Sequence, residues 1–201
     1  MNKFEKRSIT AYNKKADNYD DTLDGKFTAE FKTMLLEAVT IQNGDCVLDV
    51  ACGNGRLLSM FADRYTFSGF GTDISDNMIK QARVLNPAME FLTANCEELP
   101  FADGTFNIIT VCAAYHHFPN VFYFAKEAYR LLKVGGQIYI AEVNYPAVIR
   151  AICNPFISLS RAGDVKFYSP DEIMETLKSV GFQKTSHIKN GHVQIVNACR
   201  L

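Results

Sequence analysis

A glycine turn and a carboxylate occur together in the segment Val47–Leu58, which reads VLDVACGNGRLL. Gly53 and Gly55 allow a tight turn in which a ligand can approach bare backbone closely. A dinucleotide-binding fingerprint would place a third glycine at the position that Leu58 occupies. Asp49 precedes the turn, and its carboxylate suits an ammonium or sulfonium cation better than a pyrophosphate. A plain glycine turn would have the same composition, so the interpretation depends on the neighbouring segments.

A second carboxylate, Asp73, lies 20 residues after Gly53 in the sequence GTDIS. At this spacing an acidic residue meets the hydroxyl groups of a bound ribose. The alternative is a cap for a helix that begins near Asn77, but the strand position and the spacing together favour ribose binding. Asn95 follows the next strand and offers a side-chain oxygen that can accept a hydrogen bond from an adenine amino group. These positions predict a nucleoside site.

Two adjacent histidines, His116 and His117, follow the fourth predicted strand and are flanked by Tyr115 and Phe118. Histidine titrates near neutral pH and is therefore a natural base for removing a proton from an acceptor. The alternative is that either histidine only bonds to the backbone or caps the next loop. We predict a catalytic role for at least one of the pair.

The elements that must position these residues alternate between strands and helices after an N-terminal helical region of 40 residues. Alternation of this kind predicts a parallel sheet with helices on both faces, and ligands bind such sheets at the carboxyl ends of the strands. Asn190 and Gly191 form a strong hairpin signal between two final strands, the last of which would be antiparallel. The predicted strands span 46–50, 67–72, 89–93, 106–112 and 137–143, and the predicted helices 56–63, 77–85, 121–132 and 169–180.

Composition restricts the function classes. The 201 residues are 48% apolar and 21% charged, as in an ordinary globular protein. Lys and Arg number 21 against 22 Asp and Glu, so the whole chain has no attraction for nucleic acid or anionic lipid.

The six cysteines include no Cys-x-x-Cys pair, and we predict neither disulfides nor a metal site. No apolar segment reaches the roughly 20 residues of a membrane helix, and residues 1–9 carry no secretory core, so we predict a cytoplasmic protein without membrane insertion.

Together these motifs resemble the class I S-adenosylmethionine-dependent methyltransferases, and in particular the small-molecule branch that contains the ubiquinone/menaquinone-biosynthesis C-methyltransferases. The resemblance runs from about Tyr12 to the C-terminus and is carried by AYNKKADNYDD, VLDVACGNG, GTDIS, ANCEELPFADGTFN and LLKVGGQIYIAEV. It implies a Rossmann-like, doubly wound sheet of about seven strands, mostly parallel, with N-terminal helices and S-adenosyl-L-methionine as the cofactor.

The resemblance also implies roles for individual residues. Asp49 and the backbone from Ala51 to Gly55 would hold the methionine end of the cofactor, Asp73 the ribose, and Asn95 with the adjacent Cys96 the adenine, on which Ile74 would pack. The chain departs from the family's pattern at three positions, because the family commonly has glycine at Ala51 and aspartate at Asn95 and Asn107. An asparagine keeps a carbonyl acceptor, so we still expect binding.

Aromatic residues flank this predicted site in the sequence. Tyr12 and Tyr19 would cover the cofactor, with packing on a fixed helix as the alternative. The long connection 144–168 would act as a substrate lid, or equally as an ordinary helical insertion. The candidate substrate residues are Tyr115, Tyr145, Arg161 and Tyr168.

We therefore predict a single methyltransferase domain over residues 1–201, which transfers a methyl group to a small-molecule acceptor by in-line displacement. It would consist of a helical cap (1–40), a cofactor-binding core (41–143), the lid connection and a C-terminal helix and hairpin (169–201). Two alternatives stay open, a nicotinamide-dependent oxidoreductase and a non-catalytic S-adenosylmethionine-binding regulator. A nucleic-acid adenine methyltransferase is disfavoured, because no Asn/Asp-Pro-Pro-Tyr/Phe run follows the fourth strand. The sequence carries no signal for an oligomeric state.

Overall fold

A computed structural model describes residues 2–157 and 159–201 and contains one seven-stranded sheet in the order β3-β2-β1-β4-β5-β7-β6. The strands from β3 to β5 run parallel, whereas β7 is antiparallel to both of its neighbours. The predicted mostly parallel sheet with an antiparallel C-terminal strand is confirmed. The strands are β1 (Cys46–Val50), β2 (Ser68–Asp73), β3 (Glu90–Thr93), β4 (Phe106–Cys112), β5 (Leu132–Val143), β6 (Gln183–Asn190) and β7 (Val193–Cys199).

Helices cover both faces of the sheet. Buried side chains of α5 and α7 pack on one face, and those of α2, α3 and α4 pack on the other. The central strands β1 and β4 are apolar along nearly their whole length because both of their faces are covered. The helices are α1 (Lys3–Lys15), α2 (Leu23–Ala38), α3 (Arg56–Ala62), α4 (Asp76–Leu85), α5 (Val121–Leu131), α6 (Ala147–Ile157) and α7 (Pro170–Ser179), with short 3₁₀ segments at Ala16–Asp21 and Tyr115–His117.

Local sequence signals fix the starts of several helices. The Ser75 hydroxyl accepts a hydrogen bond from the Met78 N–H and so begins α4 at the end of β2. Ser169 and Glu172 form the predicted capping box of α7. Asn2 and Glu5 form another capping box at α1. The caps of α1 and α4 place both helix starts beside the carboxyl ends of the parallel strands.

One strand begins earlier than predicted. β5 starts at Leu132 rather than at residue 137, directly after α5. Gly135 has φ +84° and indicated a turn, but it lies in an irregular stretch where Phe106 still pairs with Leu132 before the register shifts. A bulge of this kind keeps the pairing while it re-aims the strand.

The connection 144–168 contains α6 and then returns to the strand ends, and residue 158 of that connection lies outside the described residues. The backbone N–H of Val165 donates to the His116 carbonyl oxygen at 2.7 Å, which holds the returning chain against the end of β4. Within the described ranges, no helix is long and apolar enough to cross a membrane.

Candidate active site

A cavity opens at the carboxyl ends of β1 to β4, where the sequence analysis placed the nucleoside site. We call it the strand-end cavity. Eight of the ten predicted cofactor residues line it: Tyr12, Tyr19, Ala51, Gly53, Asp73, Ile74, Asn95 and Cys96. The other lining residues are Glu5, Ser8, Val50, Thr72, Met78, Ala94, Cys112, Ala113, Ala114, His117, Phe118 and Pro119.

Asp73 is held rigidly in the wall of this cavity. Its Oδ2 accepts a hydrogen bond from the Gly53 N–H at 2.9 Å, and its Oδ1 accepts one from the Ser75 N–H at 2.8 Å. Burial raises the pKa of Asp73, and these backbone bonds act against that shift. The carboxylate therefore ties the glycine turn after β1 to the start of α4.

The two glycines of the turn serve different purposes. Gly53 has φ +53°, and a Cβ added there would meet no atom within 4 Å, so bare backbone faces open space. Gly55 does not line the cavity. A Cβ on Gly55 would lie 2.8 Å from the Asn86 Nδ2, so this glycine allows α3 to begin close to the end of α4.

Asp49 lies beneath the cavity rather than in its lining. It is 1% exposed, and its Oδ1 accepts a hydrogen bond from the Thr110 hydroxyl at 2.7 Å. Burial raises the pKa of Asp49 to about 7, despite that bond. With this pKa, Asp49 is partly protonated at neutral pH.

Asn95 is engaged by the N-terminal helix. Its Nδ2 donates to the Glu5 Oε1 at 2.8 Å, and its Oδ1 accepts from the Glu97 N–H at 3.0 Å. Sequence reasoning missed Glu5, which is 7% exposed and lines the cavity. The Asn-x-x-Glu capping pattern at residues 2–5 was the available signal for a helix start there.

The N-terminal segment forms the outer wall. Asn13 fastens α1 to the start of α4, because its Oδ1 accepts from the Ser75 hydroxyl at 2.6 Å and its carbonyl oxygen accepts from the Asn77 Nδ2 at 3.2 Å. Tyr12 and Tyr19 belong to the same wall, and their ring centroids lie 6.2 Å apart. Burial raises the pKa of Tyr12, and it raises that of Tyr19 to about 12. Both phenols therefore stay protonated near neutral pH.

A second cavity adjoins the first, and we call it the histidine cavity. Tyr12, Tyr19, Ala113 and His117 line both cavities. The remaining wall combines aromatic side chains with acids and both ends of the lid connection: Asp24, Phe27, Thr28, Phe31, His116, Glu142, Val143, Tyr145, Ala162, Asp164 and Phe167.

The histidine pair is held by carboxylates. His116 Nδ1 lies 2.8 Å from the Glu142 Oε2, and Glu142 is 0% exposed. His117 Nε2 lies 2.9 Å from the Tyr12 Oη, and its Nδ1 lies 3.0 Å from the Asp164 Oδ1. Burial lowers the pKa of His116, but Glu142 and Asp164 outweigh this and leave it raised. Burial and the neighbouring His116 lower the pKa of His117.

Three predicted substrate residues lie elsewhere. Tyr115 is fully buried, with its ring 5.0 Å from that of Tyr168, which is also buried in the core. The 3₁₀ segment turns Tyr115 inward onto Phe124 while the two histidines face the cavity. Arg161 is exposed and lines neither cavity. Of the four substrate candidates, the structure brings only Tyr145 to the histidine cavity.

Comparison with known proteins identifies relatives of the chain. Residues 48–140 match the methyltransferase domain family, and curated relatives over a longer region carry methyltransferase names. The chain is thus similar to S-adenosylmethionine-dependent methyltransferases, and its family match covers a little under half of its length. This confirms the resemblance that the sequence motifs indicated.

Two bacterial relatives carry methyltransferase names. The chain is 29% identical to a ubiquinone/menaquinone biosynthesis C-methyltransferase from Marinomonas, over 86% of this chain and 80% of the relative. It is 28% identical to a demethylmenaquinone methyltransferase from Listeria welshimeri, over 66% of this chain and 59% of the relative. It thus spans about 59% of the length of that Listeria relative. Geranyl diphosphate C-methyltransferase from Streptomyces coelicolor, solved with S-adenosyl-L-homocysteine, shares the fold with a TM-score of 0.78 at 12% identity, over 100% of this chain and 99% of that one.

S-adenosylmethionine, the cofactor that the sequence resemblance implies, fits the residues that line the strand-end cavity. Bare backbone at Gly53 faces open space, and Asp73 offers a fixed carboxylate in the wall. Thr72 also lines the cavity, and its hydroxyl is buried without a hydrogen-bond partner among the described residues. An orphaned polar atom of this kind is typical of a site that a polar ligand completes.

Proposed function

We propose that the chain transfers a methyl group from S-adenosylmethionine to a small-molecule acceptor with an aromatic ring. The observation that carries this proposal is the shared wall of the two cavities. A ligand in each cavity would meet the other beside Tyr12, Tyr19, Ala113 and His117. Direct transfer needs donor and acceptor in contact and roughly in line, and adjoining cavities supply that geometry.

In the strand-end cavity, the residues suit a cationic nucleoside. Asp73 would accept hydrogen bonds from the ribose hydroxyls, and the buried Asp49 would attract the cationic end of the ligand from below. S-adenosylmethionine, when bound, supplies a methyl group on a positively charged sulfur. Tyr12 and Tyr19 present aromatic rings beside this position, and aromatic faces stabilise cations, more strongly where water is excluded.

The histidine cavity suits an aromatic acceptor with a polar substituent. Phe27, Phe31, Tyr145 and Phe167 give it apolar walls, and Tyr145 and Phe167 pack edge to face at 4.8 Å. His117 adjoins both cavities, so a polar group on the acceptor would meet it beside the transfer point. The names of the curated relatives, which specify ubiquinone, menaquinone and demethylmenaquinone, agree with a ring of this kind.

The test uses S-adenosylmethionine with a deuterium-labelled methyl group and a panel of phenols, catechols and hydroquinones. We expect mass spectrometry to show a labelled product and an equal amount of S-adenosylhomocysteine with at least one acceptor. Phe167→Ala should raise the KM for that acceptor and leave the cofactor Kd unchanged, because Phe167 lines only the histidine cavity. Phe122→Ala, at an exposed aromatic of α5, is the matched control.

Two results would contradict the proposal in different ways. Folded protein that binds S-adenosylhomocysteine but methylates no member of the panel would support a non-catalytic binder. Protein that binds neither S-adenosylmethionine nor S-adenosylhomocysteine, but binds a nicotinamide cofactor, would support the oxidoreductase alternative.

A further inference from the structure

Three potential metal ligands converge in the wall of the histidine cavity. His116 Nε2 lies 3.7 Å from the Asp164 Oδ1, and His117 Nδ1 lies 3.0 Å from the same oxygen. One ligand atom from each of the three residues lies within 4.8 Å of the others. The side chains are 12–18% exposed, so they are largely withdrawn from water but open to the cavity that all three line.

The two measured distances to the Asp164 Oδ1 are compatible with coordination by one small cation. An ion bound tetrahedrally at about 2.0–2.1 Å holds its ligand atoms about 3.3 Å apart, and the two measured distances lie on either side of that value. Two imidazoles and one carboxylate are the ligand types of catalytic zinc sites, in which a further position stays open. Here that position would face the cavity.

The partners of the two imidazoles leave the right nitrogen atoms free. The Glu142 carboxylate accepts a hydrogen bond from the His116 Nδ1–H at 2.8 Å. The Nε2 of the same ring then carries the lone pair, and it faces Asp164. A buried carboxylate behind a ligating histidine is the usual way to fix its tautomer and orientation. On His117, the Tyr12 Oη can accept a hydrogen bond from the Nε2–H at 2.9 Å. In that tautomer the Nδ1 carries the lone pair.

The Nδ1 of His117 makes an ion-pair contact with Asp164 but no aligned hydrogen bond. It is buried and has no hydrogen-bond partner among the described residues, although the Asp164 oxygen is only 3.0 Å away. The two atoms are close but not aligned as a hydrogen bond. Buried polar atoms are nearly always satisfied, and an ion between His117 and Asp164 would satisfy this one.

We propose that His116, His117 and Asp164 bind one divalent transition-metal ion, with zinc as the best match to the ligand set. The sequence analysis predicted no metal site, because Asp164 is 47 residues away from His117 and is brought to it only by the fold. The proposal gives the two histidines the role of ligands instead of the predicted role of proton acceptors. Ion binding is measured directly, so its outcome is independent of whether the chain transfers methyl groups.

The experiment uses full-length protein without a histidine tag, stripped with a chelator and titrated with ZnCl₂ by calorimetry. We expect one zinc ion per chain. Asp164→Asn and His116→Asn should each weaken binding by at least about tenfold, and Glu142→Gln, which acts through His116, by about 10- to 100-fold. His187→Asn, at an exposed histidine on β6, is the matched control and should leave binding unchanged.

Substitution of the ion by Co²⁺ identifies the ligands. The visible absorption of the cobalt protein should report nitrogen and oxygen ligands and should change in Asp164→Asn. A sulfur-to-cobalt charge-transfer band would place the ion on cysteine and overturn the proposal. Absence of stoichiometric zinc binding, or binding that the Asp164 and His116 variants leave intact, would also overturn it. Because Glu142 is fully buried and its variant can lose the fold, circular dichroism is recorded for each protein, and the Asp164 variant, in a loop, decides the test.

Discussion

Asp73 offers a quantitative test of cofactor recognition. A carboxylate has about four acceptor positions, and the backbone N–H groups of Gly53 and Ser75 use two of them. At least one position is left for a ribose hydroxyl. A hydrogen bond to a charged group contributes about 1.5–3 kcal/mol, so Asp73→Ala should weaken S-adenosylhomocysteine binding about 10- to 150-fold.

A loss of affinity alone would not distinguish ribose binding from collapse of the glycine turn, because the same carboxylate holds the Gly53 N–H. The assay is therefore a thermodynamic cycle. The binding free energies of S-adenosylhomocysteine and its 2′,3′-dideoxy analogue are measured by calorimetry for the wild type and for Asp73→Ala. If Asp73 binds the ribose, removal of the hydroxyls should weaken binding to the wild type but hardly affect the variant. The expected coupling energy is about 1.5–3 kcal/mol.

Asp76→Ala is the matched control, since Asp76 is a nearby aspartate in the first turn of α4 and its Oδ1 accepts a hydrogen bond from the exposed Thr93 hydroxyl. It should change the Kd by less than about threefold, as expected for an exposed polar substitution. The reasoning is refuted if the two ligands differ by the same factor in the wild type and in Asp73→Ala. In that case Asp73 would be a clamp for the turn and no ribose ligand.

Three further predictions concern stability and motion. Asp49 has a folded pKa of about 7, above its ordinary value of 3.8, so its contribution to stability is present below pH 3.8 and is lost as the pH rises through 7. The melting temperature of Asp49→Asn relative to wild type should therefore increase between pH 5 and pH 8, and a constant difference would argue against the shifted pKa. Gly25→Ala should lower the free energy of unfolding in urea by about 1–3 kcal/mol, because the added Cβ would lie 2.0 Å from the Tyr19 carbonyl oxygen. This change usually stabilises a helix, and a stabilised variant would contradict the close contact between Gly25 and Tyr19. Hydrogen exchange over residues 8–24 should slow when S-adenosylhomocysteine binds, since that segment walls the strand-end cavity, and equal protection with and without ligand would rule out a cofactor-gated lid.

The elements of the sheet could be predicted closely because their boundaries are marked in the sequence itself. β1 and β4 are mostly apolar runs that follow the polar residues Asp45 and Thr105, and the bounds of both strands agree with the prediction. The start of β5 was missed, because Gly135 and Gly136 indicate a turn, whereas pairing with β4 and backbone hydrogen bonds to Arg200 keep that stretch in the sheet. Local composition does not contain such pairing information.

The site was predictable where a motif fixes the spacing and unpredictable where tertiary packing does. Asp73 is the last residue of β2, and Gly53 lies in the turn after the neighbouring strand β1. Their spacing already predicted that they lie together. Nothing in the loop around Asp164 indicates that it reaches the histidines, since a backbone bond from Val165 to His116 brings it there. Tyr115 was wrongly placed in the site because it directly precedes His116 and His117 in the sequence. The 3₁₀ segment turns its side chain into the core instead.

The wall shared by the two cavities has a consequence for inhibitor design. Since Tyr12 and His117 border both spaces, one molecule that joins an adenosyl group to an aromatic ring through a short linker could occupy both at once. Its second half would bind at the high effective concentration set by the linker, so its affinity would exceed that of either fragment. The aromatic half would also confer selectivity, because adenosyl sites recur across a fold family whereas the pocket formed by Phe27, Tyr145 and Phe167 belongs to this chain's own cap and connection.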